Sequence, residues 1–187
     1  MSKFLTVSLV IVAFVAGTGF GFYLAPEYAL LNQSSSAMGG TAKPLSDQQF
    51  LDGMIAHHEV ALDLARQAKR QSKRDEILKL ADVVLAVDTE EIAGLYTWKQ
   101  QWFQNTRKVS GKEISTIALG SYDAKFDLRL LNALITHHVD AIAMAKKLRA
   151  STTRNELLDL ADAVIEGKTK QIAQFEQWRS EWYGNNN

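Results

Sequence analysis

From residue 45 onward, apolar positions recur at a helical spacing. Phe50, Met54, Ala61, Ala65 and Ala68 form one stripe, with Leu51, Ile55 and Leu62 beside it. The stripe breaks at Gln71-Ser72-Lys73-Arg74 and resumes through Ile77, Leu80, Ala81, Val84, Ile92, Leu95, Trp98 and Trp102. Ser46 and Gln49 read as a capping box, and Leu45 and Phe50 as its hydrophobic staple. Ser72 is the expected cap of the second helix. A helical hairpin is therefore predicted.

The pattern occurs twice. Sliding the chain by 80 residues superposes 47–105 on 127–185 without a gap, with about a third of the positions identical. Asp47/Asp127, Ala61/Ala141, Ala65/Ala145 and Trp98/Trp178 are among the matches, as is Leu80-Ala81-Asp82 with Leu160-Ala161-Asp162. The second hairpin carries Thr153 and Glu156 as a candidate capping box at its turn, and 106–120 is the linker. Both prolines, Pro26 and Pro44, precede the repeats, so long helices meet no interruption. The expectation is an all-α protein, an antiparallel four-helix bundle over 45–187 with helices of roughly 25 to 33 residues. The tryptophan pairs Trp98/Trp102 and Trp178/Trp182 are expected to plug its ends.

A different pattern fills the amino terminus. Residues 4–25 carry no charge and would span roughly 30 Å as a helix, enough to cross a bilayer. A transmembrane anchor over 1–25 is predicted, followed by a flexible tether over 26–44. A cleaved signal peptide is the rival reading. Lys3 before the span and Glu27 after it favour a cytoplasmic amino terminus and an extracytoplasmic bundle. Gly17 and Gly21 make a GxxxG spacing that chance accounts for in so glycine-rich a stretch.

Composition narrows the chemistry. Twenty-one basic residues balance 21 acidic ones, which speaks against a nucleic-acid partner. With no cysteine, disulfides, thiolate metal sites and cysteine nucleophiles are excluded. All four histidines fall in two adjacent pairs, His57-His58 and His137-His138, at equivalent positions of the repeats. Neighbours lie about 100° apart around a helix, so each pair straddles the core-facing stripe. Ala61 and Ala65 leave room beside them. Neutral imidazole is a good ligand for zinc, copper and nickel, and four could converge if the first helices of the hairpins are neighbours. Packed, non-metal histidines are the alternative. Reflecting the first hairpin about its turn brings Asp88 and Glu91 near its pair, as solvated or salt-bridged acids or as one-sided ligands. Their counterparts are Lys168 and Gln171. Met54 and Met144 are core residues or thioether ligands for copper(I). Residues 54, 55, 134 and 135, three before each histidine, are Met, Ile, Leu and Ile. The Glu-x-x-His of di-iron bundles is therefore missing, and HExxH is missing too.

Across both copies the motif reads Asp-x2-Phe/Leu-x3-Met/Leu-x2-His-His-x2-Ala-x2-Leu/Met-Ala. It resembles the DUF305 family over about 47–183, a ferritin-like domain of exported bacterial proteins, some implicated in copper binding. The resemblance implies an extracytoplasmic bundle whose metal, copper first and zinc or nickel otherwise, is held by His57, His58, His137, His138, Met54 and Met144. The chain departs from the family pattern at Leu64, Leu134, Leu95 and Phe175, where methionine is usual, and at Asp88 and Lys168, where glutamine is frequent. The expected function is a membrane-anchored copper buffer, chaperone or resistance factor, working as a binder, with a homodimer or a metal-trafficking partner possible. A structural interaction module, or a haem- or metal-dependent oxidoreductase, is the competing reading.

Overall fold

The computed structural model describes residues 45–110 and 116–184. The anchor and tether predicted over 1–44 lie outside them. Among the described residues no helix is long and apolar enough to cross a membrane.

Four helices and no strand make up the described chain: α1 (Asp47–Gln71), α2 (Asp75–Phe103), α3 (Phe126–Arg149) and α4 (Asn155–Tyr183). The Ser46 capping box forms as expected. Ser46 Oγ accepts from the Gln49 N–H at 3.2 Å and Gln49 Oε1 accepts from the Ser46 N–H at 3.1 Å. Leu45 packs on the cluster that holds Phe50.

The turns differ from expectation. Ser72 closes α1, its N–H donating to the Ala68 carbonyl, and its hydroxyl accepts from the Arg74 N–H at 3.2 Å. Thr152 does the same for Arg154 at 3.1 Å, so no Thr153–Glu156 capping box forms. Arg74 and Arg154 themselves occupy the N-cap positions without a side-chain cap bond. Arginine is a poor N-cap, and the reason lies across the bundle.

Each arginine reaches the open end of the other hairpin. Arg74 Nε lies 3.3 Å from Asp127 Oδ2, with its guanidinium 4.3 Å from the Trp182 ring centre. Arg154 Nε lies 3.0 Å from Asp47 Oδ2, its guanidinium 4.7 Å from that of Trp102. Reciprocal contacts of this kind mark a pseudo-twofold axis. Ser151 Oγ also donates to the Leu45 carbonyl at 2.7 Å, which sets the start of α1 against the end of α3, so these two helices run antiparallel. The stacked pairs Trp98/Trp102 and Trp178/Trp182, at 4.9 and 5.3 Å, close opposite ends as predicted.

The long connection between hairpins makes this arrangement possible. Val109 N–H donates to the Tyr96 hydroxyl near the end of α2. Farther on, Gln67 and Gln71 on α1 bond the backbone of Ile117, Leu119 and Tyr122. The chain thus returns along α1 before α3 begins. The helices touch as α1 with α2, α3 with α4, and α1 with α3. The two histidine-bearing helices are neighbours.

At equivalent places in the hairpins, a cation on the second helix meets an acceptor on the first. Arg179 donates to Asn132 Oδ1 at 3.0 Å. Lys99, fully buried, lies 2.6 Å from Asp52 Oδ1 and donates to the Arg107 carbonyl at 2.6 Å. Lys99→Met is expected to cost about 2–3 kcal/mol, below the 3–5 of a fully buried broken pair, because Arg107 stays 3.4 Å from the carboxylate. Thermal unfolding should show a midpoint lower by roughly 5–10 °C, with partial recovery when Asp52→Asn is added. An unchanged midpoint would make the pair decorative.

A candidate metal centre between the histidine helices

The two apolar clusters of the core occupy opposite ends of the bundle. One contains Phe50, Met54, Leu95 and Trp98, with Met144 packed against it. The other contains Leu64, Phe126, Leu134 and Phe175. Between them lie the histidines, His57 and His137 meeting in the seam of α1 and α3, His58 turned to α2 and His138 to α4. Ala61, Ala65, Ala141 and Ala145 are buried, and their small side chains let the two helices approach.

The four rings form three environments. His57 and His137 stack face to face, with ring centres 3.5 Å apart and planes at 15°. His57 Nε2–H donates to the His137 carbonyl at 2.9 Å, which leaves its Nδ1 lone pair available. His58 sits between acids, with Nδ1 3.2 Å from Asp88 Oδ2 and Nε2 3.4 Å from Glu91 Oε2. His138 Nε2–H donates to Gln171 Oε1 at 2.9 Å, and its ring meets Phe175 edge to face at 5.2 Å. Its Nδ1 is buried with no hydrogen-bond partner. A buried, unsatisfied acceptor costs about 1–3 kcal/mol. An electron-pair donor left in that condition suits a ligand.

Electrostatics divides the rings the same way. Burial pulls His57 down to about 4, its bond to the His137 carbonyl only partly opposing this. Burial and the charges of His57 and Lys168 bring His137 down to about 2. His138 is lowered well below the ordinary value by burial and Lys168. These three rings are neutral at pH 7, the form that binds metals. Burial also opposes charge on His58, yet Asp88 and Glu91 outweigh it and the pKa is raised. Asp88 is lowered, since His58 overcomes the cost of its burial. Glu91 is raised by burial and by Asp88.

Reflection of the first hairpin had placed Asp88 and Glu91 near the first pair, and they lie there. Asp88 is buried at 4% exposure, so it is an ion-pair partner and not a solvated acid. The matching contact in the second hairpin is neutral, through Gln171.

The methionines reveal something the spacing did not. Met54 stands in copy one where copy two has Leu134, and Met144 in copy two where copy one has Leu64. Because α1 and α3 are antiparallel, these two alternations coincide in space. Both thioethers fall in one end cluster and both leucines in the other. A Cβ added at Gly53 would meet Met144 Sδ at 3.6 Å, so the sulfur lies against α1 beside Met54. Met54 in turn is one helical turn from His57 and His58. Three neutral imidazoles and two thioethers are each donors of the kind that a soft or borderline metal ion accepts.

No curated protein sequence matches the chain. Among solved structures, CopM in its Ag-bound form is 34% identical with a TM-score of 0.64, covering 74% of this chain and 98% of that one. CopM in its Cu(I)-bound form is 33% identical, with a TM-score of 0.63 and coverage of 74% and 99%. A DUF305 fragment from Deinococcus radiodurans, 22% identical with a TM-score of 0.62 over 74% of this chain and 99% of that chain, shares the fold. The family described as "Domain of unknown function (DUF305)" matches twice, over 47–122 and 113–179, once for each hairpin. The chain is a member of the DUF305 family.

Proposed function

We propose that this chain is a membrane-anchored, extracytoplasmic metal-binding protein that handles copper, as a buffer, chaperone or resistance factor. The observation that carries the reading is the histidine layer between the two end clusters. It holds three imidazoles kept neutral by burial, one with an orphaned nitrogen, next to an end cluster that holds both thioethers. Neutral nitrogen and thioether sulfur are ligands that copper(I) accepts without losing charge balance to a buried anion. CopM, with silver, copper(I) and copper(II) forms, supports the choice of copper. His57, His137, His138, Met54 and Met144 would hold a soft ion, with His58 at the same level. Met54, Ile55, Leu134 and Ile135 in place of di-iron glutamates favour a binder over an oxidoreductase. The uncharged run over 4–25 supports an anchor that places the bundle outside the cytoplasm.

The test uses the full chain in detergent, reduced and metal-free, titrated with copper(I) against a chromophoric competitor. Wild type is expected to retain copper through elution, and replacement of either histidine pair by alanine should weaken it at least about tenfold. Equal retention by wild type and both variants, or no uptake by any, would return the histidines to a packing role. Alkaline extraction of membranes and protease access from the outer side test the anchor and its orientation.

A further inference from the structure

The duplicated core has lost its symmetry in charge. Around His58 stand Asp88 and Glu91, while the equivalent positions around His138 are Lys168 and Gln171. One atom from each of His58, Asp88 and Glu91 lies within 4.8 Å of the others. A tetrahedral ion with bonds of roughly 2.1 Å places its ligand atoms roughly 3.4 Å apart, so closure on an ion takes side-chain shifts of about 1.5 Å or less. The His58–Asp88 and His58–Glu91 separations, 3.2 and 3.4 Å, are already of that size. They use opposite nitrogens of the ring, so one carboxylate must swing to the other side. Glu91, on the less enclosed side at 15% side-chain exposure against 6% for Asp88, is the one with room to move.

We propose that His58, Asp88 and Glu91 form a second metal site, for a divalent cation of the zinc class, which the other half of the bundle does not duplicate. The ligand chemistry separates it from the copper reading. Two carboxylates and an imidazole suit a borderline to hard dication, whereas thioethers favour a soft monovalent one. Fixed charge makes the same distinction. A buried and a half-buried carboxylate in one hairpin attract a dication, and a lysine and an amide in the other do not. Lys168 is also close enough to act on Asp88, Glu91 and His58. It therefore opposes a dication at the first site, and its removal should help binding there. The proposal deepens the metal-binding reading by naming a second cation class, yet its test turns on Asp88 and Glu91, which the copper reading does not use.

The experiment titrates the metal-free full chain with zinc chloride and, in parallel, with silver ion, read by calorimetry. Wild type is expected to take one zinc ion per chain. The double variant D88N/E91Q should bind zinc about 100-fold more weakly or worse, beyond the roughly 10–100-fold that loss of an outer partner costs, with silver affinity within about threefold of wild type. K168Q should bind zinc severalfold more tightly. If D88N/E91Q fails to fold by circular dichroism, E91Q alone carries the test, since Glu91 is the less enclosed acid. Wild type that takes no zinc overturns the proposal, as does a folded acid variant that takes zinc as well as wild type. Loss of silver binding with zinc intact would sink the copper reading alone, so the two failures are distinguishable.

Discussion

At pH 5 the metal-free chain is expected to be less stable than at pH 7 by on the order of 4 kcal/mol, a large part of a typical domain's 5–15 kcal/mol. His57 and His137 carry the effect, with pKa values lowered from 6.5 to about 4 and about 2. A folded pKa below the unfolded one means that the unfolded chain binds more protons, so stability falls as pH drops below about 6.5. At pH 5 each ring has lost about 1.5 pH units of linkage, or about 2 kcal/mol. His138, also lowered, pulls in the same direction. His58 has the opposite sign. Its raised pKa gives a contribution fully present below about 6.5 and lost as pH rises through the folded value, so it does not offset the loss between 6.5 and 5. Asp88, lowered from 3.8, contributes stability that is lost only at still lower pH. Glu91 partly relieves the trend just above 4.5, because its raised pKa lets the folded state take a proton first. Urea midpoints at pH 7, 6 and 5 on chelator-treated protein test this, with H57Q/H137Q expected to lose less than half as much. A midpoint that does not move from pH 7 to 5 would mean the rings accept protons in place. The same titration acts on metal binding, since a protonated imidazole has no lone pair to give.

Much of the fold was legible because it rests on local pattern. The 80-residue repeat, the helical stripes and the Ser46–Gln49 box each depend on residues within a turn or two of one another. The antiparallel contact of Asp88 and Glu91 with His58 also followed from geometry, since a tight hairpin reflects positions about its turn. What the spacing hid was the relation between hairpins. Arg74 and Arg154 sit at the hairpin turns, yet their partners Asp127 and Asp47 lie at the far end of the opposite repeat. Only the direction of α3 against α1 reveals that pairing. The caps failed for the same reason. Local rules put Ser72 and Thr153 at helix starts, whereas Arg74 and Arg154 hold the N-cap positions and the hydroxyls of Ser72 and Thr152 accept from those arginines' N–H groups. In the site, histidine positions were readable as core-facing, but their division into a stacked pair, an ion-paired ring and an amide-bonded ring was not. That division depends on which helix α1 faces on each side.

Exchanging thioethers between the two ends of the bundle should move the soft-metal site with them. M54L/M144L is expected to weaken silver or copper(I) binding by about 1,000-fold, the product of two losses in the 10–100-fold range. It should leave stability within about 1.5 kcal/mol, because leucine and methionine are close in volume. Leu64 and Leu134 are the positions that the pseudo-twofold axis exchanges with Met144 and Met54, and they lie together in the opposite cluster. Adding L64M/L134M to the M54L/M144L chain therefore places two sulfurs on the other side of the same histidine layer, and most of the lost affinity is expected to return. The crossed pair M54L/L134M would instead leave one sulfur at each end, Met144 in one cluster and residue 134 in the other. It should bind no better than the single variant M54L, although it has the same number of methionines as wild type. That comparison separates convergence from composition. Methionine count alone predicts equal binding by the crossed pair and by wild type, and such a result would show that the shared end of Met54 and Met144 has no bearing on the metal. Weak binding by the crossed pair, together with recovery by L64M/L134M, follows only if the antiparallel packing of α1 and α3 is what makes two sulfurs from different repeats into one site.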